Sequence, residues 1–309
     1  MSAAHRPVRR ILFALAMLAL GLAWLAPAGP LGAEAGQAAG TPDSSAVPAK
    51  PPPRSETKKA PAKSGQPAAQ GHERAAAGGA PHWEYVGEVG PVAWGSLAPE
   101  FAVCGTGQNQ SPIDLQRVYT GSEPRLQFDY RPSKLRIVNN GHTIQVNYDP
   151  GSFLRIDKRS YELVQFHFHL PSEHTLKGQP FDMELHLVHK NAEGILAVVG
   201  VFLQRGAVSE GLQEVWEHLP GMAGEERSYQ TVMVNAADLL PGNASYFLYS
   251  GSLTTPPCSE GVRWHVMATP LEFSEAQYIA FKRLFALNAR PVQPLRERFV
   301  IQVTGGRQP

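Results

Sequence analysis

Six stretches of this chain, residues 134–138, 143–148, 163–169, 184–189, 195–203 and 261–268, read as extended strands, most of them alternating in side-chain character with a period of two. That pattern constrains the fold more than any other feature, because only on a strand do alternate residues share a face. Helical spacing is confined to residues 209–219 and 274–287, with Ser274 placed to cap the second. The chain is therefore expected to be mainly β: a single domain with a large central, mostly antiparallel twisted sheet and short peripheral helices.

Strand alternation also sorts the polar residues. In 163–169, Gln165, His167 and His169 share one face while Phe166 and Phe168 point the other way; in 184–189, Glu184, His186 and Val188 share a face. A His-x-His pair alone also fits ordinary core or surface histidines. Here, five of the 11 histidines, His167, His169, His174, His186 and His189, fall in one short segment. Three histidines with an open position form a catalytic zinc pattern. Gln165, Glu173 and Glu184 are at hand to hold the other ring nitrogens, as metal-bound imidazoles require.

Composition frames this candidate site. At 309 residues and 43% hydrophobic, the chain can bury a substantial core. Residues 1–33 have the profile of a signal peptide: His5, Arg6, Arg9 and Arg10 precede an apolar run from Ile11 to Leu25, and small residues come after it. The run is shorter than the ~20 residues a membrane span needs. Export to the periplasm or the extracellular space is expected, with no stable membrane span. Residues 34–80, rich in Ala, Pro, Gly, Ser and Lys without apolar periodicity, are expected to form a disordered linker. The remaining domain spans 81–306. From residue 81 on, 23 acidic side chains outnumber 19 basic ones, so nucleic acid is not an expected partner. Cys104 and Cys258 are the only cysteines. In an exported chain such a pair reads as a disulfide, two buried free thiols being the alternative.

Several blocks, taken in order, resemble the α-class carbonic anhydrases of the bacterial, exported type. They are Gln165-Phe166-His167-Phe168-His169, Ser172-Glu173-His174, Glu184-Leu185-His186-Leu187-Val188-His189 and Gly251-Ser252-Leu253-Thr254-Thr255-Pro256-Pro257. Further matches begin at Gln110, Asn139, Leu196 and Asn288, so the resemblance covers residues 82–303.

The resemblance implies one Zn2+ per chain, held by His167, His169 and His186 with water or hydroxide in the fourth position. It implies reversible hydration of CO2 to bicarbonate and a proton by attack of that hydroxide. Neutral imidazoles leave the metal its full charge, which lowers the pKa of bound water from ~15.7 to about 7. By the same resemblance Thr254 accepts a hydrogen bond from the hydroxide and passes its own proton toward Glu173, and Thr255 lines the bicarbonate side. Val188, Val198, Leu253, Val262 and Trp264 would form an apolar wall for CO2. Gln165, Glu184 and the backbone carbonyl of Asn288 match the groups that orient His167, His186 and His169. His142 matches the proton shuttle. His174 and His189 are expected to be structural, hydrogen-bonded in the core near Glu184 and Tyr249. Sulfonamide and anion inhibitors, a side esterase activity and a homodimer are compatible with the resemblance.

One departure stands out. After His169 the chain reads Leu170-Pro171-Ser172-Glu173, without the Trp-Gly and longer insertion common in the animal enzymes. Glu173 stays in register, so the difference is expected at the cavity rim. Two other functions fit parts of the pattern. An inactive binding domain is disfavoured because all three ligand histidines, Thr254 and Glu173 are present. A zinc hydrolase for peptides or esters is disfavoured by the absence of a His-Glu-x-x-His helix.

Overall fold

A computed structural model describes residues 81–116, 118–122 and 124–305. The leader and linker expected for 1–33 and 34–80, and the last residue of the 81–306 domain, lie outside the described residues.

The chain first forms α1 (Trp94–Leu97) and α2 (Val103–Thr106), then β1 (Val118–Gly121), β2 (Leu126–Asp129), β3 (Ser133–Asn139), β4 (Ile144–Asn147) and β5 (Phe153–Ile156). The long strands come next: β6 (Arg159–His169), then after the short pair β7 (Thr175–Leu176) and β8 (Gln179–Pro180), β9 (Met183–Lys190) and β10 (Leu196–Arg205). After α3 (Gln213–Glu217) come β11 (Glu226–Val234), β12 (Tyr246–Ser252), β13 (Glu260–Met267), β14 (Leu271–Phe273), α4 (Glu275–Lys282) and β15 (Val300–Val303). All but β7 and β8 join one sheet, in the order β1-β15-β12-β13-β10-β9-β6-β4-β3-β11, with β14 beside β10 and β5 joining β2 to β6. Pairing is mostly antiparallel, as expected; β1–β15, β10–β13 and β10–β14 are parallel.

Why β10 reads as an almost unbroken apolar run is plain from its position. It lies inside the sheet and is buried on both faces, as such runs require. Val198 and Phe202 join one cluster with Trp264 and Tyr249, whereas Ala197, Val199, Val201 and Leu203 join a larger one on the opposite face. Phe166 and Phe168 belong to that larger core and are wholly buried. Burying two such aromatic side chains contributes roughly 2–3 kcal/mol each, which anchors β6 from behind.

β6 carries an irregularity. Leu163 pairs with His189 and Gln165 with Val188, so Val164 has no partner on β9 and its side chain is 42% exposed. An extra residue of this kind is a β-bulge. It lets Leu163 and Phe166 reach the same core while Gln165, His167 and His169 face the other way.

The expected helices are shorter than their sequence spacing suggests. In 209–219 a 3-10 turn (Glu210–Leu212) precedes the five-residue α3, and Pro220 stands shortly after it. α4 starts at Ser274 in a capping box with Gln277, but stops at Lys282. From there the chain unwinds, which delivers Asn288 to the histidine-bearing face of β6. Strands β11 and β12 had no sequence prediction: β11 is largely exposed, and β12 is apolar on both faces.

Candidate metal centre

Opposite residues of an antiparallel pair project to the same face. His167 lies opposite His186, and His169 opposite Glu184. The three imidazoles therefore converge, their ring centroids 5.0, 5.3 and 4.5 Å apart. One nitrogen from each lies within 4.8 Å of the others. His169 and His186 are buried and His167 is half-buried.

The remaining ring nitrogens are held. His167 Nδ1 donates to Gln165 Oε1 at 2.8 Å, His169 Nδ1 to the Asn288 carbonyl at 2.7 Å, and His186 Nε2 to Glu184 Oε1 at 3.0 Å. That leaves His167 Nε2, His169 Nε2 and His186 Nδ1 turned toward one another. Burial, aided by the charges that His169 and His186 would carry, holds His167 well below the usual imidazole range, and burial lowers His169 as well. Neutral nitrogens keep the lone pairs a cation needs. His169 Nε2 is buried without a hydrogen-bond partner, a costly state for a polar atom. The donor set fits a divalent metal with nitrogen preference.

Glu184 ties this centre to the loop before β7. Its Oε2 accepts from the backbone N–H groups of Glu173 and His174 at 2.9 and 2.8 Å, and its Oε1 also accepts from His174 Nδ1 at 2.7 Å. Burial pushes the Glu184 carboxyl up, but His174 and His186 outweigh it and hold it well below the usual range. Gly200, opposite His186 on β10, makes room: a Cβ there would meet Glu184 Oε1 at 2.9 Å. His174 also lies near Glu184 and His186, yet its Nε2 is taken by the Tyr249 hydroxyl at 2.6 Å, so it offers no free nitrogen. His189 is structural but sits elsewhere than expected. Three residues from His186, it faces the opposite side of β9 and pairs with the Tyr130 hydroxyl at 2.6 Å and the Ala197 carbonyl at 3.2 Å.

Glu173 Oε1 accepts from the Arg290 backbone N–H at 2.8 Å. Its Oε2 is buried, without a hydrogen-bond partner, and lies 3.5 Å from His169 Nε2 and 3.9 Å from His186 Nδ1. With His169 neutral, the shorter contact is not an ion pair. The hydrogen bond that the resemblance implies between Thr254 and Glu173 is not formed among the described residues. Thr254 is nevertheless buried and lines the same cavity as His186.

Two cavities meet at Gln165, His167 and Thr255. One, of about 210 Å³, is walled by Val188, Val198, Leu253 and Trp264 and also touches His186 and Thr254. Val262 is buried in the cluster that backs this wall and does not line the cavity. The other, of about 120 Å³, is polar, lined by Asn140, His142, Thr143 and Gln145 beneath Trp83 and Tyr85. His142 stacks on Trp83 at 3.7 Å and 7°, and its Nε2–H donates to the Trp83 carbonyl at 2.9 Å. Gly141 (φ 90°) makes the turn that presents it. The Asn288 amide donates to the carbonyls of His142 and Phe168 at 3.0 and 2.9 Å, clasping this turn to β6.

Cys104 and Cys258 form a disulfide. Cys258 N–H donates to the Thr255 carbonyl at 2.8 Å, and the Cys104 carbonyl accepts from Arg290 Nη2 at 3.0 Å. The bridge thus holds the Thr254 loop beside Arg290. Closing a loop of 154 residues contributes on the order of 5 kcal/mol in the chain-entropy model.

Sequence reasoning did not single out Trp83, Tyr85, Gly200 or Arg290. A cluster of aromatics directly after a featureless linker was the available signal for the first two; the others act only through contacts distant in sequence.

A sequence profile described as "Eukaryotic-type carbonic anhydrase" matches residues 89–304. A carbonic anhydrase of Nostoc sp. is 50% identical over 226 residues, covering 72% of this chain and 86% of that protein. One from Pectobacterium carotovorum is 42% identical over 221 residues, 71% of this chain and 90% of its own length. Among solved structures, the α-carbonic anhydrase of Thermovibrio ammonificans in complex with the inhibitor sulfanilamide superposes with a TM-score of 0.70 at 42% identity. The match covers 72% of this chain and all of that one.

Proposed function

Because this chain belongs to the eukaryotic-type carbonic anhydrase family, whose reaction is the reversible hydration of CO2, we propose that it does so with zinc held by His167 Nε2, His169 Nε2 and His186 Nδ1. The observation that carries this reading is the convergence of three imidazole nitrogens, each on a ring whose other nitrogen is held by a partner, beside an apolar cavity. Zinc bound there supplies Lewis acidity, which brings the pKa of a coordinated water to about 7.

The residues of the chain supply position and proton traffic. Val188, Val198, Leu253 and Trp264 give uncharged CO2 a place that binds water poorly, and Thr255 borders the product side. Thr254 borders this wall and lies in the same cavity as His186; in the reaction its hydroxyl hydrogen would turn to Glu173 Oε2, a carboxylate oxygen without a partner among the described residues, leaving its lone pairs to the reacting centre. Gln165, Glu184 and the Asn288 carbonyl fix the imidazole orientations. On the polar side His142, half-buried with Nδ1 free of the Trp83 contact, carries the proton to solvent. Sulfonamides are read as inhibitors at the metal, and esters as side substrates of the same centre. Residues 1–33 are read as an export leader and 34–80 as a linker; the disulfide agrees with an oxidising compartment. No helix among the described residues is long and apolar enough to cross a membrane.

Stopped-flow CO2 hydration tests the assignment. His186→Ala is expected to lose zinc and fall to the uncatalysed rate. His142→Ala is expected to lower kcat by about tenfold or more while leaving kcat/KM nearly unchanged, with partial rescue by imidazole buffer. Equal losses in both variants, or full activity without zinc, overturn the reading.

A further inference from the structure

On the sheet face opposite the metal centre lies a groove of about 430 Å³, between the β5–β6 hairpin tip and strands β12 and β13. Its cationic lining is Lys158, Arg159 and Arg263, none of which forms an ion pair among the described residues; the one carboxylate is Asp157. His265 also lines it. That residue comes directly after Trp264 on β13, so it projects away from the catalytic cavity. It is 1% exposed, and its Nδ1 is buried with no hydrogen-bond partner.

We propose that this groove is a second ligand site, for a small oxyanion that also carries a hydroxyl group, such as hydrogencarbonate or a hydrogenphosphate. Three unpaired cations against one carboxylate attract a negative charge, and guanidinium groups match the planar or tetrahedral oxygens of such ions. His265 sets the second requirement. The ring donates to the Val198 carbonyl, and burial lowers its pKa to about 3, so it is neutral and its other nitrogen, Nδ1, is a bare acceptor. A bare acceptor is satisfied by an O–H donor, which hydrogencarbonate and hydrogenphosphate possess and sulfate and chloride lack.

The test is NMR titration of the zinc-loaded full chain near neutral pH at constant ionic strength. Signals of the His265 ring and of the Lys158, Arg159 and Arg263 amides are monitored with inorganic phosphate, hydrogencarbonate, sulfate and chloride. Phosphate or hydrogencarbonate is expected to shift these signals to saturation and to shift the Nδ1 resonance as a hydrogen bond forms. Sulfate is expected to bind about tenfold more weakly or worse, the loss of one hydrogen bond to a buried acceptor. Arg159→Gln with Arg263→Gln, both at the surface, should weaken binding by a similar factor, and His265→Leu should abolish the preference for phosphate over sulfate. A response to hydrogencarbonate alone identifies the reaction product as the occupant, and one to phosphate alone identifies hydrogenphosphate. Equal binding of phosphate and sulfate, an undiminished response in the arginine double variant, or a His265 ring that senses only water overturns the proposal.

Discussion

The two faces of the β6–β9 pair are built from the same strands, at the same register, and do opposite work. One face carries Gln165, His167, His169, Glu184 and His186, every imidazole held by a partner with one nitrogen left toward its neighbours. The other carries Phe166, Phe168 and Leu187, packed into the main core, and the buried His189, whose two ring nitrogens are matched to the Tyr130 hydroxyl and the Ala197 carbonyl. His186 and His189 make the lesson concrete. Two identical side chains, three residues apart, become a candidate ligand and a core residue because strand parity sends them to different sides.

Substitutions on each face should therefore separate chemistry from stability. The largest expected effect is on the polar face: His167→Ala removes zinc binding and brings CO2 hydration to the uncatalysed rate, while thermal stability of the metal-free forms changes little. Metal analysis with stopped-flow and metal-free melting curves checks this; a variant that keeps zinc breaks the comparison. On the core face, Phe168→Ala opens a void against Trp216 and Phe281, whose rings lie 4.9 and 6.0 Å away, and should cost about 3–5 kcal/mol in denaturant unfolding. The molecules that remain folded should still bind zinc.

A subtler core effect is acid sensitivity. Burial lowers the pKa of His189 from its usual ~6.5 to about 4, so the folded state holds it neutral where the unfolded chain would protonate it. Its contribution is complete above pH ~6.5, drains as pH falls toward about 4, and amounts to no more than roughly 3 kcal/mol. His189→Leu should flatten unfolding free energy against pH across that window; an unchanged slope would contradict it. The smallest change expected is at Gln165→Leu, which leaves all three ligands in place but frees His167 to turn. A loss of ~10–100-fold in zinc affinity by competition with a chelator would sharpen the distinction between binding and orienting groups.

Much of this centre was legible because period-two alternation is local: His167, His169 and His186, with Gln165 and Glu184 two residues from the histidines they hold, need only strand parity to be found. The contacts that were not legible come from far along the chain. The Asn288 amide clasps the His142 turn to β6, Arg290 N–H holds Glu173, and Gly200 yields space to Glu184, contacts that no local periodicity encodes. The fold shows the same division. β10 was visible as an apolar run, whereas β11, an exposed edge strand, and β12, apolar on both faces, offered no alternation to detect.

The unpaired Val164 imposes a counting rule on this molecule. Upstream of it, odd-numbered residues such as Tyr161 and Leu163 turn inward to the core; downstream the even-numbered Phe166 and Phe168 do. The strand changes phase once, and the histidines take their side from the downstream phase alone. Removing that single residue would merge the two phases into one unbroken alternation, with Leu163 inward, Gln165 outward and Phe166 inward. Val164 is thus the place where β6 takes up its one extra residue, and the imidazoles keep their side through the pairing of 165–169 with β9, whatever the phase upstream.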